Sequence, residues 1–156
     1  MKKILRKITP LPVKKIYHKV RSLPELWQIY RQPELHRRAL LKVKGKKKVV
    51  VAFFLIHSSV WKYDGVYKLM ASDSRFDPKI IVCPVINNGI ENMLYEMEKA
   101  YNFFKEKGYA PIRGYDPLTD SFLDIKKEIA PDIIFYTNPH RLTSEEFYIT
   151  HFKEIL

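Results

Sequence analysis

The sequence is short of the features that most simply reveal a function. Cys83 is the single cysteine in 156 residues. No internal disulfide can form, which fits a reducing compartment. The five glycines, at positions 45, 65, 89, 108 and 114, compose neither G-x-G-x-x-G nor G-x-x-x-x-G-K-[ST], so the common loops that cradle phosphate are missing. No Asp-x-Asp occurs, and a metal-held sugar nucleotide is therefore not indicated. The five histidines, at 18, 36, 57, 140 and 151, never take zinc-ligand spacing, and H-E-x-x-H is absent. No metal and no cofactor are expected. The longest apolar run, Val49 to Ile56, has strand length and falls far short of the roughly 20 residues that span a bilayer. The N-terminus lacks the apolar core and small-residue cleavage site of a signal peptide.

Acidic residues are scarce in one part of the chain only. Residues 1–48 hold sixteen Lys or Arg against Glu25 and Glu34, whereas residues 49–156 hold twelve against fifteen acids. The net charge of +11 thus belongs to the N-terminal segment. The remainder is mildly acidic and offers no nucleic-acid face, so a nucleic-acid partner is not expected.

Residues 1–47 read as a basic amphipathic helical arm. Val13, Ile16, Tyr17 and Val20 fall at helical spacing, as do Leu23, Leu26, Trp27 and Tyr30. Ser22 and Glu25 could form a capping box, and a third helical pattern runs from Glu34 to Leu41. The lysine-rich tract from Lys44 to Lys48 reads as a linker or strand entrance. Three readings of the arm stay open. It lies on an anionic membrane, with Lys2, Lys3, Arg6, Lys7, Lys14, Lys15, Lys19 and Arg21 at the headgroups and Trp27 dipping in. It binds RNA through its aromatic and basic residues, although no recognition module is visible. Or it folds against the rest of the protein with a solvated basic face. The first is preferred, and it places the protein in the cytoplasm, peripheral at the inner face of the cell membrane.

Residues 48–156 alternate strand and helix. Val49 to Ile56 is an unbroken apolar run, as expected of a parallel strand buried on both faces. A helix follows from Asp64, a possible cap, to Met70. Further strands are expected at Lys79 to Cys83, around Ala110 to Ile112, and at Asp132 to Tyr136. A helix capped by Asn88 and Glu91 should bury Ile90, Met93, Leu94, Met97, Tyr101 and Phe104 and stop at Gly108. Two more helices are expected, from about Asp120 to Ile129 and from Thr143 to the chain end. The fold class is α/β: a Rossmann-like parallel sheet with helices on both faces, preceded by the basic arm.

In open α/β sheets, ligands bind beyond the carboxyl ends of the strands. His57 stands there and is the candidate catalytic residue, a general base able to accept a hydroxyl proton near neutral pH. The alternative is a polar loop histidine that caps the next helix. Ser58 and Ser59 could donate hydrogen bonds to a phosphate, or serve as ordinary turn residues. Trp61 could stack on a ligand or pack between helix and sheet. Asn138, His140 and Arg141 should lie along the same edge, where Arg141 could hold a phosphate, or form an ordinary polar loop. Cys83 ends a strand as a phosphatase nucleophile would, but position 89 is Gly where the phosphate-binding Arg should be. A phosphorelay receiver is not expected, because the first strand has no acidic residues at its end.

The order of these segments resembles a known family. Val51 to His57, then an aromatic, an acidic residue and a helix ending Tyr67-Lys68-Leu69-Met70, is similar to the start of the CDP-glycerol glycerophosphotransferases, which build teichoic-acid and capsular polymers. Phe76 to Pro84, Lys107-Gly108-Tyr109 and Pro131 to Pro139 resemble the same family's first Rossmann-like domain. The likeness covers about residues 48–156. It departs at Ser58, where the family often has Gly, and the loop between the His and the helix is shorter. The second Rossmann-like domain of that GT-B-like architecture, which binds CDP, has no counterpart in the sequence, nor has the downstream His-Gly segment. The resemblance implies the acceptor-side half of a transferase, inactive alone and completed by a nucleotide-binding domain or subunit. It implies a polyprenyl-linked or glycerol-phosphate acceptor, with His57 as base. The contrasting expectation is a non-catalytic, membrane-associated α/β interaction domain.

Overall fold

The computed structural model describes residues 31–137 and 142–156. The chain divides into two compact units, residues 1–37 and 38–156. Residues 31–44 are helical (α1). Val43 packs against the cluster of Val49, Val51 and Phe53, and the Lys46 ammonium pairs with the Asp132 carboxylate. Lys46 thus ties the tract to the sheet, while residues 44–48 all remain exposed and lead directly into β1.

The second unit is an α/β fold. Four parallel strands, β1 (Val49–Leu55), β2 (Phe76–Val82), β3 (Pro111–Arg113) and β6 (Ile133–Tyr136), lie in the order β3-β2-β1-β6. Two short strands, β4 (Tyr115–Asp116) and β5 (Ser121–Phe122), form a separate antiparallel hairpin. Helices α2 (Asp64–Ser72) and α3 (Gly89–Glu106) connect β1 to β2 and β2 to β3.

The period-2 alternation of β1 sorts its side chains into two cores. Val49, Val51, Phe53 and Leu55 face α2 and α3, joining Ile80, Val82, Met93, Met97 and Phe104. Ala52, Phe54 and Ile56 face the other side, joining Ile81, Cys83, Ile125, Phe147 and Phe152. That face is covered by a π-helical turn (Ile125–Ile129) and two 3-10 turns (Glu145–Phe147 and Ile149–His151). Helical segments thus flank both faces, long on one and short on the other. Phe53 is fully buried. Its ring stacks on Phe135, its register partner in β6, at 4.9 Å between centroids.

Several local expectations give way to side-chain chemistry. Between Asp120 and Ile129 a hairpin and one π-helical turn replace the expected helix. The Asp116 carboxylate accepts the Leu118 N–H and the Thr119 hydroxyl, and the Tyr115 hydroxyl donates to Asp120. Asp120 itself takes a positive φ of 50°. Such local bonds draw the backbone into turns. After Thr143 only 3-10 turns form, because Thr143 bridges to Val85 and the rings of Phe147 and Phe152 are held in the core. Tyr63, not Asp64, is the N-cap of α2. Asn88 makes no capping bond, and α3 begins at Gly89 with φ +82°. Ile90 on α3 is exposed rather than buried. Gly108 does end α3: its N–H donates to Lys105 O and the Tyr109 N–H to Phe104 O, a Schellman closure. Among the described residues, no helix is long and apolar enough to cross a membrane.

Candidate functional site at the carboxyl edge of the sheet

Strand order locates the site. From β1 the chain moves outward to β2 and β3, then crosses back to the far side of β1 to form β6. The order reverses between β1 and β6, and such switch points open a crevice at the carboxyl ends of the strands. On the β6 side the edge is closed by Thr137, whose N–H and hydroxyl both donate to Phe54 O at 3.0 Å. On the β2 side the Cys83 N–H donates to Leu55 O. Farther on, Leu142 and Thr143 lie antiparallel to Val85 and Ile86, with the Ile86 N–H donating to Leu142 O.

His57 lies two residues beyond the end of β1, in extended conformation. The alternation that turns Phe53 and Leu55 toward the helices turns His57 the same way. Its imidazole meets α3, where Nδ1 lies 3.4 Å from Glu96 Oε2. Glu96 is placed by the packing of its helix. Met93, Met97, Ala100 and Phe104 form the buried stripe, and Glu96 stands at the margin of that stripe. The side chains of His57 and Glu96 remain 36% and 24% exposed. The pair is therefore open to a ligand and not sealed in the core. An imidazole with a carboxylate behind it can take up a proton and hold the resulting charge.

Ser58 begins a 3-10 turn, Ser58–Val60, immediately after His57. The Val60 N–H donates to His57 O and the Trp61 N–H to Ser58 O, so the backbone turns sharply at this edge. Ser58 is half-buried and Ser59 exposed. Trp61 lies among rings: Phe104 at 5.2 Å, Phe53 at 5.6 Å and Tyr67 at 6.1 Å between centroids. Its indole N–H donates to Asp64. Trp61 thus ties the loop to α2 and α3. Asn138, His140 and Arg141 lie outside the described residues, as do Lys2, Lys3, Arg6, Lys7, Lys14, Lys15, Lys19, Arg21 and Trp27 of the arm.

Asp64, at the start of α2, is held by three side chains: Lys68, Tyr109 and Trp61. Lys68, at 2.8 Å, and the Tyr109 hydroxyl hold its carboxyl down to about 2. Arg113, at the end of β3, grips Glu98 with two nitrogens and lies 3.5 Å over the Tyr101 ring. That pairing lowers the Glu98 carboxyl below its usual range. Burial pushes the Cys83 thiol far above its ordinary value, so it is no nucleophile. Tyr136, at the end of β6, is likewise raised by burial. Its hydroxyl and that of Thr143 are buried with no hydrogen-bond partner among the described residues.

Glu96 escaped sequence reasoning. It is one of four acids along α3, with Glu91, Glu98 and Glu106, and nothing in the local pattern separates it from the others. Only the phase of the helix together with the strand order brings it to His57. A cavity of about 510 Å³ lies elsewhere, beside Lys42, Lys126 and Asp132. Asp132 precedes β6 and bonds to Val50 near the start of β1, so this cavity sits at the amino edge, opposite His57. Among the described residues no group of three or more His, Cys, Asp or Glu is arranged to hold a metal ion. Compared with known proteins, the chain matches no family model, no curated protein and no solved structure.

Proposed function

We propose that this chain provides the acceptor-side domain of a membrane-associated glycerophosphotransferase or glycosyltransferase of cell-surface polymer synthesis, with His57 as general base. The observation that carries the reading is the position of His57 beyond β1 at the strand-order reversal, half-exposed and backed by Glu96. The likeness of residues 48–156 to the CDP-glycerol glycerophosphotransferases supports the choice of reaction. In that reaction an acceptor hydroxyl, on a polyprenyl-linked or glycerol-phosphate chain, loses its proton to His57. Its oxygen forms a bond to the phosphoryl or anomeric centre of a nucleotide-activated donor. The bond from that centre to the nucleotide breaks, and the electron pair leaves with the nucleotide. A second, nucleotide-binding domain or subunit holds the donor. The basic arm keeps the protein at the anionic inner face of the membrane.

The test is transfer of labelled glycerol phosphate or sugar from nucleotide-activated donors to membrane acceptor, with the full chain in its natural assembly. A positioned base commonly contributes about 10²–10⁴-fold. His57→Ala should fold normally and lose turnover by about that factor. Transfer by the alanine variant at the wild-type rate would remove His57 from the chemistry. Transfer by the isolated chain at rates typical of enzymes would refute the need for a second domain.

An interaction domain without catalysis is the competing reading. One observation favours it: α2 has no buried residue and exposes Val66 and Leu69. Binding of a partner that depends on Leu69 but not on His57 would distinguish the two.

A further inference from the structure

The geometry points to Glu96 as a positioning residue that fixes the tautomer of His57, leaving Nε2 as the proton-accepting nitrogen. The inference rests on the reading of His57 as a base. The two ring nitrogens of an imidazole lie on different edges of the ring. The edge carrying Nδ1 faces Glu96 Oε2 at 3.4 Å, within reach of a charge-assisted hydrogen bond after a small side-chain adjustment. An ionised carboxylate accepts hydrogen bonds and donates none. Its neighbour Nδ1 must therefore carry the proton in the neutral ring, and the lone pair falls to Nε2. No hydrogen bond from the described residues occupies Nε2.

The support behind Glu96 is firm. It rides on an 18-residue helix whose Met93, Met97, Ala100 and Phe104 are buried against the sheet. His57 is equally constrained, because Leu55 and Ile56 before it are buried and the turn Ser58–Val60 follows it. Strand and helix thus set the distance between carboxylate and imidazole before any ligand arrives, as preorganisation requires. When the acceptor proton moves to Nε2, the imidazolium forms with the Glu96 charge already beside it. The carboxylate thus orients the ring and faces the forming charge, as the acid does in a nucleophile–base–acid triad.

Two readouts test this. The first is the nitrogen chemical shifts of the His57 ring in the full chain, above the pH at which the ring is neutral. The wild type should carry its proton on Nδ1. Glu96→Gln, whose amide oxygen can still accept that proton, should keep the same tautomer. Glu96→Ala should shift the population toward the Nε2–H form. An unchanged tautomer in Glu96→Ala overturns the inference, whatever the role of His57 in turnover. The second readout is transfer by the natural assembly. Glu96→Ala should lower kcat by more than about tenfold, and by less than the 10²–10⁴-fold expected of the base, with KM little changed. The same substitution should have no further effect in a His57→Ala background. A loss that persists there means Glu96 does not act through His57. Wild-type turnover in His57→Ala, together with a Glu96-dependent tautomer in the chain that keeps His57, sinks the base reading and leaves the contact standing.

Discussion

Nδ1 of His57 lies 3.4 Å from Oε2 of Glu96, linking the loop that ends β1 to the helix that follows β2. Neither side chain is sealed from solvent, and partly exposed contacts of this kind contribute about 0–1 kcal/mol. Stability should therefore depend little on the pair. His57→Ala and Glu96→Ala should each unfold in urea within about 1 kcal/mol of the wild type. A loss several times larger would make the contact a structural strut and take away the reason for assigning it to chemistry.

Gly114 is the most crowded of the five glycines. A Cβ built there would lie 2.8 Å from Val82 O, 2.9 Å from Phe147 Cζ and 3.0 Å from Pro84 Cδ. The Gly114 N–H also donates to Val82 O, so the backbone cannot retreat without breaking that bond. Gly114→Ala should destabilise the protein by about 1–3 kcal/mol, the usual range for overpacking. Denaturant midpoints of the two proteins measure it. An alanine variant as stable as the wild type would mean that β3 and the following hairpin are not docked as described.

The contrast between these two positions shows what can be read from sequence. Strand β1 and the end of β2 were legible because both their faces are buried, which leaves unbroken apolar runs at 49–55 and 80–83, and the half-buried edge strand β6 still shows as the apolar run 133–136. The helix α3 was legible from its stripe and its glycine stop. The hairpin at 115–122 was not, because Asp116 and Asp120 bond locally to backbone and hydroxyl groups, and helical periodicity does not record such bonds. The position of His57 followed from strand logic. Its partner did not, since Glu96 is distant in sequence and is brought near only by the helix crossover. Gly114 was equally silent: its crowding comes from Val82 and Phe147, far along the chain.

Asp64 gives a pH dependence with a defined sign. Lys68 and Tyr109 hold its carboxyl at about 2, below the ordinary 3.8. A carboxyl lowered on folding stabilises the folded state above its unfolded value and loses that contribution as pH falls through its folded value. The stability difference between wild type and Asp64→Asn should be constant above pH 3.8 and should close as pH drops toward 2. Urea midpoints across that range report it. A gap that widens in acid would show that the Lys68 contact does not hold the carboxylate.

The arm should bind anionic vesicles and release them as salt rises. Each Lys or Arg near such a surface contributes about 1 kcal/mol, screened over a Debye length. Because Val43 packs on β1 and Lys46 pairs with Asp132, the informative truncation stops at residue 30 and leaves those contacts intact. Vesicles containing phosphatidylglycerol should sediment the full chain and not the truncated one. Equal sedimentation of both would place the membrane contact outside the arm.

One titration decides whether the carboxyl edge is the working site. Glycerol 3-phosphate, the simplest carrier of the proposed acceptor chemistry, is added to the isotopically labelled full chain and backbone and His ring resonances are followed. Perturbations should gather at His57 to Val60, at Glu96 and at Thr137, and His57→Ala should weaken them. No perturbation at that edge, or shifts confined to the amino-edge cavity beside Lys126 and Asp132, would mean that the acceptor is bound elsewhere and that His57 is only a loop residue.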